Sequence, residues 1–559
     1  MNDMNKYFIT LTSIVALFVG CTSHTPKNNS AWIPNILKDF KKDSRSSILP
    51  DFSYAGYHYG EKELPTVKAK EFVVTDYGAI ANDEIDDTKA IQKAVDAAGA
   101  NGGGIVLFPT GKFLVNTDTT QTDIVKINYS NIVMRGAGSG KDGTIIFSGS
   151  STHQQEDDNP WLSPFVFHTG LNIHDTHSFY SVTMEKPLAQ LAKDLKKGDD
   201  VVELSSTEGL KAGDVIILAM KNTTEEGDLI NDMMKPLKFE PFQKTYLEAG
   251  KRRDVSFQWP VEVEKILDGN KVKLKQPSRR DILVRYEAYA AIMPMLKEIG
   301  VEHFRFESSW DGVYKHHGNR EMDYGWGAVC MHRVAHGWVK DLSIDNYTQT
   351  THMVNSRNIT ITDITITGGE GHYGPKMYHS SDNLITDVLV DAKRTHGPGL
   401  EGESFGNVYK DITYTHDAPL DLHGISGEGF CPPMFNLYEN IKGVYRVAGG
   451  GAPQNIPHSG DYNTFWNMDM SGTKQGEFRE IFHSWIWTNP EKFKNEMHYD
   501  CHKQYLRSIV VGVRGKEKPL SVDHQYEDLQ DQWIYVEGLN KAEKPVSLYE
   551  TQLAWRLKK

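Results

Sequence analysis

The sequence predicts an all-β chain wound as a right-handed parallel β-helix, with an N-terminal helical cap and a small antiparallel β insertion. Three observations predict it. An Asp/Asn-marked repeat of coil-sized period runs between 336 and 470. A strand–helix–glycine–strand pattern occupies 72–109. The composition, with 48 glycines and 11% aromatic residues in 559, suits a turn-rich β protein.

The repeat is the strongest of the three. Segments 338–344, 359–366, 384–390, 408–414, 437–441 and 464–468 align on Asp341, Asp363, Asp387, Asp411, Asn440 and Asn467, at intervals of 22, 24, 24, 29 and 27. A second column stands four residues earlier, at Asn383, Asn407, Asn436 and Asn463. Such a period fits coils of short strands separated by turns. Side chains in both columns are expected to bond the backbone at a bend and stack on their equivalents in the next coil. Leucine-rich repeats have a similar period, but their Leu-x-x-Leu-x-Leu spacing is absent.

The N-terminal pattern starts at Phe72-Val73-Val74-Thr75-Asp76-Tyr77-Gly78-Ala79. Ile91, Ala94, Val95 and Ala98 follow at helical spacing, with Asp86, Asp87 or Thr88 as the expected N-cap. Gly102-Gly103-Gly104 ends the helix, and Ile105-Val106-Leu107-Phe108-Pro109 reads as a strand. This arrangement resembles the cap of the pectate-lyase-like β-helix superfamily, in which a short helix plugs the open end of the solenoid. A plug is needed because the last rung would otherwise present an unpaired edge. More broadly, the chain resembles polysaccharide lyases of Bacteroides-type bacteria, including those acting on chondroitin-type glycosaminoglycans. The resemblance implies an acidic polysaccharide as partner. The Arg and calcium-site motifs of pectate lyases are not recognisable, so no cofactor is expected; Ca²⁺ stays open as an alternative without a recognisable site.

The remaining segments follow. Lys6 precedes an apolar run from Phe8 to Gly20, too short for a membrane span of ~20 residues and suited to a signal peptide over 1–20. Phe18-Val19-Gly20-Cys21 resembles a bacterial lipobox, so Cys21 is the expected lipidation site and 21–30 a tether. The expectation is an exported outer-membrane lipoprotein, periplasmic or surface-facing, monomeric, touching the membrane only through its anchor. Residues 31–70 form a lead-in, 71–194 the cap and first coils, 195–285 the β insertion, 286–500 the main coils and 501–559 a C-terminal cap. Cys330, Cys431 and Cys501 are odd in number and widely spaced, so no disulfide framework is implied. A net charge of -13 without a basic stripe argues against nucleic acid.

Histidines concentrate where the repeat is clearest: twelve of 22 lie between 301 and 460. His352, His372, His396 and His423 follow the ladder by eleven, nine, nine and twelve residues. Each of His372, His396, His423 and His458 adjoins Gly or Pro, which places them on loops. Lys376, Lys393, Arg394 and Arg446 supply nearby cations. β-Elimination at a uronic acid needs a cation on the carboxylate, a base for the adjacent carbon's proton and an acid for the leaving oxygen. Imidazole suits the base, Arg or Lys the cation, and Tyr the acid. His396 or His423 is therefore the expected base, with Arg394, Lys376, Tyr373 and His372 around it. His352, Lys393, Glu401, Glu403, Asp421, Arg446 and His458 are expected to bind substrate.

Two other classes stay open. A glycoside hydrolase would need paired carboxyl groups, for which Glu401, Glu403, Asp417, Asp421 and Glu428 are candidates, but the ordered motifs of β-helix polygalacturonases are missing. A non-catalytic glycan binder would use aromatic rows such as Trp310, Trp326, Trp338, Trp466, Trp485 and Trp487. No metal site is expected, since no histidine pair stands at i, i+4 in a helical pattern.

Overall fold

The computed structural model describes residues 31–153, 163–171, 185–224, 227–235, 255–310, 312–424, 431–449, 457–477, 479–484, 505–522, 525–526 and 534–558. The expected leader and Cys21, together with Glu428, Trp485, Trp487 and Cys501, lie outside the described residues.

The chain is a parallel β-helix. In its first sheet, strands from Glu71–Val73 through Gly104–Leu107, Ile132–Arg135 and Gly300–Ser308 to Trp338–Asp345 pair in parallel. The stack continues through Thr360–Thr367, Leu384–Ile385, Val408–Lys410, Leu437–Glu439, Thr464–Trp466 and Ile509–Val511 to Ile534–Glu537. Register places Val339, Ile361, Ile385, Tyr409, Tyr438, Phe465 and Val510 in one inward column, each fully buried. Within it the rings of Tyr409, Tyr438 and Phe465 stack nearly parallel at 5.3 and 5.5 Å.

The two ladder columns do different work. Asp341, Asp363, Asp387, Asp411, Asn440 and Asn467 all have positive φ, between 50° and 54°. They mark the left-handed corner where the chain leaves the first sheet for a second, in which Leu342, Ile364, Val388 and Ile412 pair in parallel. Asp and Asn tolerate that conformation better than other side chains with a Cβ. The Asp column lies on the outer surface, half-buried or exposed, and among the described residues one step of it is bonded from coil to coil, with Asn440 Nδ2 donating to Asp411. The Asn column does stack. Asn383 Nδ2 donates to Asn407 Oδ1 (2.9 Å), Asn407 to Asn436 (3.0 Å) and Asn436 to Asn463 (2.9 Å). All four are fully buried.

The helix Thr88–Ala100 covers the N-terminal end, burying Ile91, Ala94, Val95 and Ala98 as the spacing predicts. Asp87 occupies the N-cap position, but its carboxylate accepts the N–H groups of Ile80 (2.8 Å) and Leu114 (3.1 Å) and makes no cap bond. It ties the helix entry to the first coil.

The insertion is an antiparallel sheet of Ala189–Gln190, Val201–Glu203, Val215–Lys221, Val255–Leu267, Lys271–Leu274 and Tyr289–Ile292. It packs its apolar face against Phe405, Cys431, Met434 and Phe435 of the solenoid. A buried polar clasp joins the two: Arg279 meets Asp382 (2.7 Å), Gln276 Nε2 donates to Asp382 (2.8 Å), and Arg357 donates to Gln276 Oε1 (3.0 Å). On another flank, Asn35–Lys42 and Leu548–Leu557 lie together over the outside of the first sheet. Trp310, Trp326, Trp338 and Trp466 are buried, so they form no surface row.

Asn407→Ala would strand the buried Asn383 backbone N–H and take one partner each from the Asn383 amide, the Asn436 Oδ1 and the Ser380 carbonyl, which keep another. At about 1–3 kcal/mol per buried orphan, the expected loss is on the order of 2–3 kcal/mol. Asp363→Gly, which suits a φ of 54°, should cost under about 1 kcal/mol or stabilise. Denaturant melts of the two variants compare the columns directly; equal losses would contradict the distinction.

Candidate active site

The site is built by coil register. Residues His352, Lys376, Gly399 and Asp421 occupy one column of the third sheet, contributed by Gln349–Val354, Lys376–Tyr378, Gly399–Glu401 and the end of Ile412–Leu422. Just upstream, Gly371–Tyr373 pairs with Arg394–His396 and sets Tyr373 beside His396. His372 and His396 therefore sit in short strands, not on loops as their Gly and Pro neighbours suggest. Parallel pairing to the adjacent coil overrides the local turn signal. The glycine at 399 leaves room in its column, so the Tyr373 ring and the Lys376 stem both approach it.

The result is a dense polar cluster. His396 Nδ1 lies 3.3 Å from Asp421 Oδ1, and His423 Nε2 lies 3.2 Å from Asp421 Oδ2. Glu401 pairs with Lys376 and stands 3.8 Å from His423 Nδ1. The Tyr373 ring stacks on His396 at 4.6 Å and carries the Lys376 ammonium 3.8 Å above its face. His396 Nε2 meets His316 Nε2 at 3.3 Å. His372 Nδ1 faces the Asp323 carbonyl at 3.1 Å and therefore carries the proton as donor.

Burial and pairing set the charges. Burial pulls the His423 imidazole down, but the Asp421 and Glu401 carboxylates outweigh it and push it up to about 9. Burial drives His396 below the ordinary imidazole value even with Asp421 beside it. His372 falls well below that value, again through burial, and His316 to about 3. Burial works to raise the carboxyls of Asp421 and Glu401. The His423 cation and the hydrogen bond from His396 on Asp421, and Lys376 on Glu401, reverse this and hold both below the carboxylate range. At neutral pH the cluster thus combines a cationic His423, neutral His396, His372 and His316, and two carboxylates.

Seven of the sequence-predicted residues come together here: His372, Tyr373, Lys376, His396, Glu401, Asp421 and His423. The others do not join the cluster's polar contacts. Arg394 is buried with Nη1 on the Tyr347 carbonyl (2.9 Å), because its side chain turns toward the loop of an earlier coil. Lys393 is exposed and paired with Glu370 at 2.9 Å. Glu403 lies buried by Cys431 under the insertion, 3.8 Å from its Sγ. His458 packs on Gly449 and Tyr505, and Arg446 lies along the Tyr445 ring further up the solenoid. His352 is buried at the cluster's lower edge, 6.2 Å from the Tyr373 ring. Asp417 bonds Thr473 on the surface. Sequence reasoning missed His316, Asp323 and Gln349. His316 and Asp323 come from the segment between Gly300–Ser308 and Gly327–His332, which carries no ladder mark to give an offset.

Comparison with known proteins places two family models on the chain. "Rhamnogalacturonase A/epimerase, pectate lyase-like" matches residues 72–184, in keeping with the expected cap resemblance. "Domain of unknown function (DUF4955)" matches residues 393–559, the segment that contributes His396, Glu401, Asp421 and His423. A mannuronan C5-epimerase and an alginate lyase, both of Azotobacter vinelandii, are each 42% identical over 76 residues, 14% of this chain. That stretch spans only 4% and 9% of those two proteins. Among solved structures, the A-module of an A. vinelandii mannuronan C-5 epimerase is 12% identical with a TM-score of 0.42, covering 86% of this chain and 98% of that one.

Asp421→Asn removes the main anion facing His423. Burial should then dominate, and the His423 imidazole is expected to titrate well below about 9. NMR titration of the ring resonances reads this directly; an unchanged value would mean that Asp421 does not set the charge of the cluster.

Proposed function

We propose that the protein is a polysaccharide lyase that cleaves a uronic-acid-containing acidic polysaccharide by β-elimination. The observation that carries this reading is the Asp421–His396–Tyr373 arrangement. A neutral imidazole is oriented by a carboxylate on one nitrogen and stacked on a phenol, with two cations in the same cluster. His396 Nε2 takes the proton from the carbon next to the uronate carboxylate. The electron pair of that C–H bond forms the new double bond as the glycosidic C–O bond breaks. The Tyr373 hydroxyl gives its proton to the departing oxygen. His423 and Lys376 face the substrate carboxylate and stabilise the charge that builds on it. The names of the relatives matched over 76 residues, an alginate lyase and mannuronan epimerases, support a uronate polymer as substrate.

Hydrolysis fits the same residues less well. A glycosidase needs one carboxyl group that stays protonated to act as acid. Here Glu401 and Asp421 are both held ionised by adjacent cations. Glu403, whose carboxyl burial pushes well above its ordinary value, lies away under the insertion.

The test is a panel of acidic polysaccharides followed by ultraviolet absorbance of the unsaturated product beside a reducing-sugar assay. Both signals together support elimination; reducing ends alone would replace it with hydrolysis. His396→Ala and Tyr373→Phe should each lower kcat by about 10²–10⁴-fold, and full activity in either would sink the assignment. The pH profile follows from the charges. Activity should fall on the acid side only below the ordinary imidazole range, where His396 gains a proton. It should fall on the alkaline side near pH 9, where His423 loses one.

A further inference from the structure

We propose that His316, His372 and His396 form a binding site for a divalent transition-metal ion of the zinc type, and that the bound ion shuts off the base. The second half rests on the elimination reading; the first half does not.

The three rings stand at the corners of a nearly equilateral triangle, with centroids 5.1, 5.1 and 5.2 Å apart. One ligand nitrogen from each lies within 4.8 Å of the other two. His316 Nε2 and His396 Nε2 are already 3.3 Å apart. Two imidazoles on a tetrahedral Zn²⁺, with Zn–N bonds of 2.0–2.1 Å, hold their nitrogens about 3.3 Å apart.

Two of the three outer nitrogens are committed as those of metal ligands are. His396 Nδ1 rests on the Asp421 carboxylate (3.3 Å) and His372 Nδ1 on the Asp323 carbonyl (3.1 Å). Such partners fix the tautomer and leave Nε2 as the lone-pair atom. Three imidazoles with no carboxylate in the inner set select zinc-like ions over Ca²⁺ or Mg²⁺. The second triad of candidate ligands, His396, Asp421 and His423, is already accounted for by ion pairing around Asp421. The first triad has no i, i+4 spacing of the kind that places two ligands on one helix face. A solenoid draws ligands instead from separate coils, here residues 316, 372 and 396.

The ion would take the lone pair of His396 Nε2, the atom assigned to accept the substrate proton. A coordinated nitrogen is no base, so the loaded protein is expected to be inactive in elimination.

Cobalt titration of the chelator-stripped, purified protein tests the site without reference to activity. One equivalent of Co²⁺ should give the intense visible bands of a tetrahedral centre, and Zn²⁺ should abolish them. His316→Ala, on a partly exposed turn, and His372→Gln should weaken binding by at least about 10–100-fold, the loss caused by removing even an outer partner of a metal ligand. His303→Ala, which removes a separate histidine paired with Asp341 at 2.6 Å, should leave binding unchanged. Absence of the bands, or equal affinity in His316→Ala, overturns the site. In the elimination assay Zn²⁺ should silence the native protein and spare His316→Ala; bound Zn²⁺ with undiminished turnover overturns the blocking role. If the metal-free protein releases no unsaturated product from any substrate, the elimination reading and the blocking role fall together, and the cobalt spectrum still decides the site.

Discussion

Register between coils is the constraint on which the rest depends, and the amide-to-amide bonds from Asn383 through Asn407 and Asn436 to Asn463 enforce it. A buried amide that slipped by one residue would lose a donor and an acceptor at once, with no water to replace them. Every later element of a coil inherits the alignment fixed there. The pairing of Lys376 with Gly399, and of Gly399 with Asp421, is that alignment read on another side of the solenoid. The insertion sheet, though large, does not disturb it, since Ile132–Arg135 pairs directly with Gly300–Ser308 on either side of it.

The candidate site shows what register permits in electrostatics. Each charged group there would be costly alone in a buried position. Asp421 between two imidazoles and Glu401 between Lys376 and His423 form an alternating arrangement in which each charge is met by its opposite. Burial then sorts the histidines: the one touching two carboxylates stays cationic, and the one touching a single carboxylate is neutral. Two chemically distinct imidazoles arise from the same side chain 5.2 Å apart.

Much of this was legible in the sequence, for identifiable reasons. The Asp and Asn columns could be read because each obeys a backbone demand that recurs once per coil: a left-handed corner for one, an interior bond for the other. The cap helix was legible through the spacing of Ile91, Ala94, Val95 and Ala98. His372, His396 and His423 were reachable by counting from the ladder. Arg394, Lys393 and Glu403 were misplaced because an offset along the chain does not say which way a side chain turns. Glu403 is covered by a sheet some hundred residues earlier in the chain. His316 and Asp323 were invisible because they reach the cluster from an irregular segment with no periodic mark. The helix Leu548–Leu557 was also unmarked; only Leu548, Tyr549 and Gln552 are buried in it, too few to show a periodic face.

The meeting of the two ends of the described chain has a mechanical meaning. Trp32 bridges Pro545, Glu537 accepts the N–H of Asn35, and Tyr549 donates its hydroxyl proton to the Ala55 carbonyl. A solenoid is in essence a one-dimensional spring that unravels from its tips, one rung at a time. With residues near both ends laid side by side across several rungs, a pull on residue 31 is carried as shear along the flank. The load is shared over many coils at once, and no single terminal rung can peel first.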